Sequence, residues 1–261
     1  MMKQRRFETV GDGTRQIVTC VDGAGPPLVL LPSYGRDSLQ DFDRFSEVLV
    51  AAGWRVLRPQ PRGVAGSTGP MTGVDLKSLA DDVAQVVRRL ADSRAVILGH
   101  AFGSFLTRVL SVEHGELVRG VILAAASATK VAPEINEAPF IAGNPARSEA
   151  ERLAALKAAF FAPRHDAHQW LEGWYPATLN MQYAAVKATD TEPYWFGGQA
   201  PLLEIIPRWD PFKPQPLWSE LRDRVGDRVT TVLIDDASHA LFPEQPDRVA
   251  AAVVSWTRQL V

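Results

Sequence analysis

Near the end of the chain stand a general base and an acid able to orient it. They are His239, in Ser238-His-Ala-Leu-Phe-Pro-Glu-Gln-Pro246, and Asp210, in Trp209-Asp-Pro-Phe-Lys-Pro214. An imidazole held in one tautomer by a carboxylate can take a proton from a substrate or a water at neutral pH. A third position of interest is Gly99-His-Ala-Phe-Gly103, between the apolar run Ala95-Val-Ile-Leu98 and an amphipathic helical stretch. A short buried strand, a turn of small residues and a helix make an elbow, and the residues flanking its centre must be nearly free of side chain. Gly99 and Gly103 meet that demand. A serine at the centre of such an elbow is a nucleophile. Here the residue is Ala101, whose methyl group cannot attack a carbonyl.

Other titratable groups read differently. Asp235 and Asp236 sit on the histidine's own loop and read as solvent-facing, which leaves Asp210 as the partner of His239. His100 reads as a packed support of the elbow, with direct chemistry as its other reading. His165 and His168 have a spacing that a metal site could use, but no cysteine or carboxylate set completes it, so no metal is expected. Cys20, the single cysteine, lies in the strand-like run Gln16–Val21 and reads as a packed thiol; one cysteine excludes an internal disulfide.

The elements that must position these residues alternate along the chain. Two short strands surround Gly11-Asp-Gly-Thr14 between Phe7 and Val21, and Pro27–Leu31 is a strand buried on both faces. A helix from Phe42 to Ala52, a strand at Trp54–Arg58 and a helix from Val74 to Leu90 lead to the elbow. Its helix is followed by an apolar run from Val118 to Ala126. Such alternation predicts a mostly parallel sheet flanked by helices on both faces. Residues 130–199 show helical pieces (Ser148–Phe161) and aromatic-dense segments, with no strand pattern. The sheet resumes at Pro201–Ile206, then come a helix over Gln215–Val225, a strand at Val229–Ile234 and a closing helix over Pro246–Leu260. Ala101, Asp210 and His239 each follow a strand, so all three fall on the rim formed by the strands' carboxyl ends, where ligands bind in open parallel sheets.

With 28 Lys and Arg against 30 Asp and Glu, a net charge of −2 offers no electrostatic footprint for nucleic acid or an anionic membrane. The basic start, Met1–Phe7, lacks the apolar stretch of a secretory signal, and no run approaches a membrane span. A cytoplasmic protein is the expectation. No nucleotide fingerprint appears, so no organic cofactor is expected. The partner is then a small-molecule substrate; oligomeric state is left open.

In these segments the chain resembles the α/β-hydrolase fold superfamily over nearly all of its length, and the order elbow residue, acid, histidine is that of the family's triad. Leu30-Leu-Pro-Ser-Tyr-Gly35 resembles the loop after the third strand, Arg62-Gly-Val-Ala-Gly-Ser67 a further family loop with one extra residue, and the Asp210 and His239 segments the acid and histidine loops. The resemblance implies one domain over 1–261: a core of about 1–129 and 200–261, and a helical cap of about 130–199 inserted after the sixth strand. It also implies an oxyanion hole from the backbone N–H groups of Tyr34 and Phe102. Ser33 stands where the family usually has glycine. Ser33, His100, Trp170, Trp174 and Trp195 are the expected pocket residues, and the aromatic-rich cap points to a mainly apolar ligand. Three functions fit. An ester or lactone hydrolase follows if Ala101 replaces a nucleophilic serine. If the alanine is native, the His239–Asp210 pair suits proton abstraction, as in lyases or cofactor-free dioxygenases of this fold. The third is a ligand-binding protein without turnover.

Overall fold

The computed structural model describes residues 5–260. The basic start at Met1–Gln4 lies outside the described residues. In chain order, β1 (Arg6–Gly11) and β2 (Gln16–Gly23) form the hairpin expected around Gly11–Thr14, and β3 (Pro27–Leu31) follows. A single turn of 3-10 helix at Gln40–Phe42 leads into α1 (Asp43–Ala51), then β4 (Arg55–Pro59). The next helix, α2 (Leu76–Leu90), begins two residues later than the apolar pattern predicts, because the Asp75 carboxylate caps it by accepting from the Ser78 N–H at 2.8 Å. The elbow joins β5 (Ala95–His100) to α3 (Phe102–Glu113), and β6 (Val118–Ala124) stops short of Ala126 where Ala125 takes a φ of 47°.

Between β6 and β7 the chain runs through α4 (Pro133–Ala142), α5 (Glu149–Ala159) and α6 (Pro176–Lys187). A capping box fixes the start of α5, with the Ser148 hydroxyl and the Glu151 carboxylate serving each other's backbone N–H. The sheet resumes with β7 (Leu202–Pro207). The helix expected over Gln215–Val225 divides into a 3-10 turn at Gln215–Leu217 and the short α7 (Glu220–Val225). Then follow β8 (Val229–Ile234), α8 (Leu241–Glu244) and α9 (Pro246–Thr257). Among the described residues, no helix is long and apolar enough to cross a membrane.

The eight strands form one sheet in the order β1-β2-β4-β3-β5-β6-β7-β8; β2 runs antiparallel to both β1 and β4, and the other neighbours pair parallel. Alternate residues of the central strands face opposite layers. Leu28, Leu30, Val96, Leu98 and Ile122 pack under α1 and α9, through Phe45, Leu49, Val253 and Trp256. Val29, Leu31, Ile97, Val121 and Leu123 pack under α2 and α3, through Leu79, Val83, Leu106 and Val109. Burial on both faces is why these strands read as continuous apolar runs, and each such side chain contributes roughly 1.5–3 kcal/mol. A third cluster joins α4, α5 and Trp170 to Phe212 and Ala240, which come from loops at the carboxyl ends of the strands.

Candidate active site

One residue turns the chain between β5 and α3. Ala101 adopts φ 50° and ψ −110°, a conformation that costs a non-glycine residue on the order of 1–3 kcal/mol. Backbone hydrogen bonds hold it there: the Ala101 N–H donates to the Ala124 carbonyl at 3.0 Å and the Gly103 N–H to the Pro32 carbonyl at 3.1 Å. A Cβ on Gly99 would collide with the Gly103 carbonyl, and one on Gly103 with the Leu31 carbonyl. The two glycines therefore let α3 press against both β5 and the end of β3, and Ala101 is displayed at the rim.

At the same rim the loops after β7 and β8 bring Asp210 and His239 together. The His239 Nδ1 lies 3.1 and 3.0 Å from the two carboxylate oxygens of Asp210, with both side chains buried. A carboxylate only accepts, so Nδ1 carries the proton and Nε2 keeps its lone pair. Asp210 is fixed in turn by the Phe212 N–H, which donates to Oδ1 at 2.9 Å. The Phe212 ring stacks on the imidazole at 3.9 Å between centroids, and Phe160 meets it edge-on at 5.6 Å. Of the competing acids, Asp235 is exposed and paired with Arg208, and Asp236 pairs with His165.

Ala101 and His239 line one cavity of about 260 Å³, together with Ser33, Tyr34, Phe102, Phe105, Ser127, Phe160, Tyr183 and Phe212. The Tyr34 and Phe102 rings lie 4.7 Å apart on its wall. Neither residue's backbone N–H donates to any described residue, so both donors are free. Among the described residues, Lys187, from the last turn of α6, is the one lining residue with a permanent charge, and no carboxylate lines the cavity.

Four of the expected pocket residues lie elsewhere, and the structure corrects them. Trp170 is fully buried: its indole N–H donates to Asp41 at 3.0 Å and the Arg36 guanidinium covers its ring at 4.6 Å. Trp174 donates to the Trp170 carbonyl and packs on Phe160. Trp195 lies under the Arg108 guanidinium, meets Phe105 edge-on and donates to Glu220. A buried indole needs an acceptor for its N–H, and each of these finds one away from the cavity. His100 lies behind the wall, where its Nε2–H donates to the His239 carbonyl at 2.7 Å. Burial, then the His239 ring, pushes His100 down to about 3, so it is neutral and acts as a donor. Of the five, only Ser33 faces the cavity.

The sequence shows Tyr183 as one of several cap aromatics without singling it out, and gives no role to Phe212 or Phe160. Phe212 had a signal, two residues past the acid in the same loop; Phe160, just past the end of α5, had none. Among the described residues no group of three His, Cys, Asp or Glu side chains could hold a metal ion.

Comparison with known proteins agrees with this geometry. A sequence model of the alpha/beta hydrolase fold matches residues 26–204. The chain is 31% identical over 135 residues to a soluble epoxide hydrolase of Corynebacterium sp. (strain C12), an alignment covering 47% of this chain and 46% of that protein. It thus spans under half the length of the curated relatives it first matches. Among solved structures, a thermophilic esterase from Thermogutta terrifontis superposes with a TM-score of 0.78 over 99% of both chains at 21% identity. An esterase from Rhodococcus sp. ECU1013 gives 0.79 over 99% of this chain and 100% of the other, at 22% identity. At such identities the structures speak for the fold alone. The sequence match, running from β3 into β7, places the elbow strand and helix inside it, and this chain belongs to the alpha/beta hydrolase fold family.

Proposed function

We propose that this protein is an enzyme of proton transfer, acting on a small, mainly apolar molecule that carries a carbonyl group, with no covalent intermediate. One observation carries the reading: an intact, buried His239–Asp210 pair faces a cavity in which the elbow offers a methyl group instead of a nucleophile. His239 Nε2 takes a proton from the carbon beside the carbonyl. The electron pair of that C–H bond becomes a C=C bond and the carbonyl π pair moves onto the oxygen, and the free N–H groups of Tyr34 and Phe102 are placed to meet the resulting oxyanion. Asp210 stabilises the imidazolium so formed, and the proton returns from Nε2 to a carbon or the oxygen of the enolate. The aromatic wall supports an apolar substrate. We also infer that residues 130–199 act as a cap within a single domain, because α4 and α6 supply Pro139, Tyr183, Val186 and Lys187 to the cavity.

A hydrolase is the second reading, favoured by the elbow itself, which holds position 101 beside His239. Two probes separate the readings. The chain as it stands releases no burst of p-nitrophenol from p-nitrophenyl butyrate, whereas Ala101→Ser gives one of about one equivalent. In D2O, the native chain exchanges the α-hydrogens of phenylacetone. That exchange falls at least about 100-fold in His239→Ala and changes little in Ala101→Ser. Exchange that survives His239→Ala, or a burst from the native chain, would sink the proton-transfer reading. A binding protein without turnover would exchange nothing in any form.

A further inference from the structure

Of the buried carboxylates outside the mechanism, Asp82 is paired with Arg62 and Glu204 with Lys213, whereas Glu244 is bound differently. Glu244 ends α8, is 7% exposed, and makes no ion pair with any described residue. Both its oxygens accept from backbone N–H groups: Oε2 from Ser238 at 2.5 Å and Oε1 from Ala162 at 2.6 Å. Ser238 immediately precedes the base. Ala162 lies just beyond α5, two residues after the Phe160 that meets the imidazole edge-on. A charged acceptor with two short N–H bonds makes stronger hydrogen bonds than a neutral group could.

The surrounding bonds show what this placement does. Three consecutive residues of the histidine loop are pinned, each by a different part of the molecule. The Ser238 N–H is held by Glu244, the His239 carbonyl by the His100 ring at 2.7 Å, and the Ala240 N–H by the Phe160 carbonyl at 2.7 Å. A shift of the Ser238 peptide would turn His239 against Asp210, and the same carboxylate would pass that shift to the chain carrying Phe160. We propose that Glu244 is a positioning residue that locks the His239 loop to the helical segment between β6 and β7, so that the base and the aromatic wall over it move as one unit. The charges facing it are Asp210 from the loop after β7 and Asp236 from the loop after β8; His165 from the helical segment packs on Asp236, and His239 on Asp210. Burial, with these two acids, holds Glu244 up to about 7 against the pull of the two N–H groups. A protonated carboxyl serves only one N–H well, so the lock loosens as pH falls through neutrality.

The test uses the full chain labelled with 15N and needs no substrate, so it stands or falls separately from the proton-transfer reading. In Glu244→Gln one carboxamide oxygen replaces two carboxylate oxygens. The Ser238 and Ala162 amides then exchange at least about tenfold faster, and the His239 Nδ1–H signal broadens, while amides of β3, β5 and β6 keep their protection. An unchanged Nδ1–H signal beside unprotected Ser238 and Ala162 overturns the proposal, since Glu244 would then only support the backbone. Should Glu244→Gln not fold, the native chain is titrated from pH 5 to 9. The lock requires the Ser238 and Ala162 amide shifts and the Nδ1–H signal to move with one midpoint, and separate midpoints or no movement overturn it.

Discussion

His100 shows how tightly the site is specified at the scale of one side chain. Its ring lies among Phe42, Trp170, Phe242 and His239, and among the described residues the charges acting on it are those of His239 and Arg36, neither of which compensates a positive charge. Only the neutral imidazole fits, and its one N–H is committed to the His239 carbonyl. Because the folded form resists protonation down to about 3 while the unfolded chain protonates near 6.5, the unfolded state binds more protons across that window. The stability His100 contributes is therefore complete above pH 6.5 and is lost as pH falls towards 3. Glu244, held up to about 7, works in the opposite direction: its protonated form favours the fold, and that contribution is lost as pH rises from about 4.5 through 7. In His100→Gln an amide N–H replaces the ring donor without a titrating group. Its unfolding free energy, measured by urea denaturation, falls less steeply than that of the native chain between pH 6.5 and 4. Equal slopes would show that the native His100 is protonated in place.

At the scale of elements the elbow depends on two contacts between backbones, not on its central side chain. Gly103 sits where α3 touches the Leu31 carbonyl at the end of β3, with no room for a methyl group. Gly103→Ala pushes α3 off the sheet and costs about 3 kcal/mol or more, read as a fall in the denaturation midpoint. Gly53→Ala is the control for backbone freedom alone, because φ there is 89° and nothing lies within 4 Å of its Cβ. It costs on the order of 1 kcal/mol. Gly99 and Gly103, the doubly buried strands and the acid and histidine loops were legible in the sequence because each rests on a local demand: a close approach, a continuous apolar run, a residue following a strand. The cavity wall was not. Trp170, Trp174 and Trp195 carry the same apolar character as Phe160 and Tyr183, and what separates them is where each indole N–H finds its acceptor, at Asp41, the Trp170 carbonyl and Glu220. Asp41 is 129 residues from Trp170 and Glu220 is 25 from Trp195, beyond the reach of spacing or periodicity; only the Trp174 acceptor is local, four residues away.

Across the whole molecule, the helical segment between β6 and β7 must be held over the rim of the sheet, and much of that attachment converges on the loop after β3. Arg36 makes a bidentate pair with Asp41 at 3.1 and 3.0 Å and donates to the Glu172 carbonyl at 2.6 Å. Its guanidinium lies against both Trp170 and Trp174. Beside it the Tyr175 N–H donates to the Gly35 carbonyl and the Gly35 N–H to the Gln182 side chain, both at 2.8 Å. Tyr34, which offers one of the two free N–H groups, precedes this knot directly. The loop that carries the proposed oxyanion donor is thus also the loop that anchors the segment. Arg36→Leu keeps much of the side-chain volume but leaves Asp41 buried with only the Trp170 indole as donor, and breaking a buried pair on one side costs about 3–5 kcal/mol. The loss falls unevenly, because the sheet's two apolar layers do not pass through Arg36. Hydrogen exchange should show amides of α5, α6 and the Trp170 turn opening well before those of β3, β5 and β6, with proteolysis confined at first to residues 130–199. Uniform loss of protection would mean that the segment and the sheet unfold together, and that the anchor at Arg36 does not set the segment apart from the sheet.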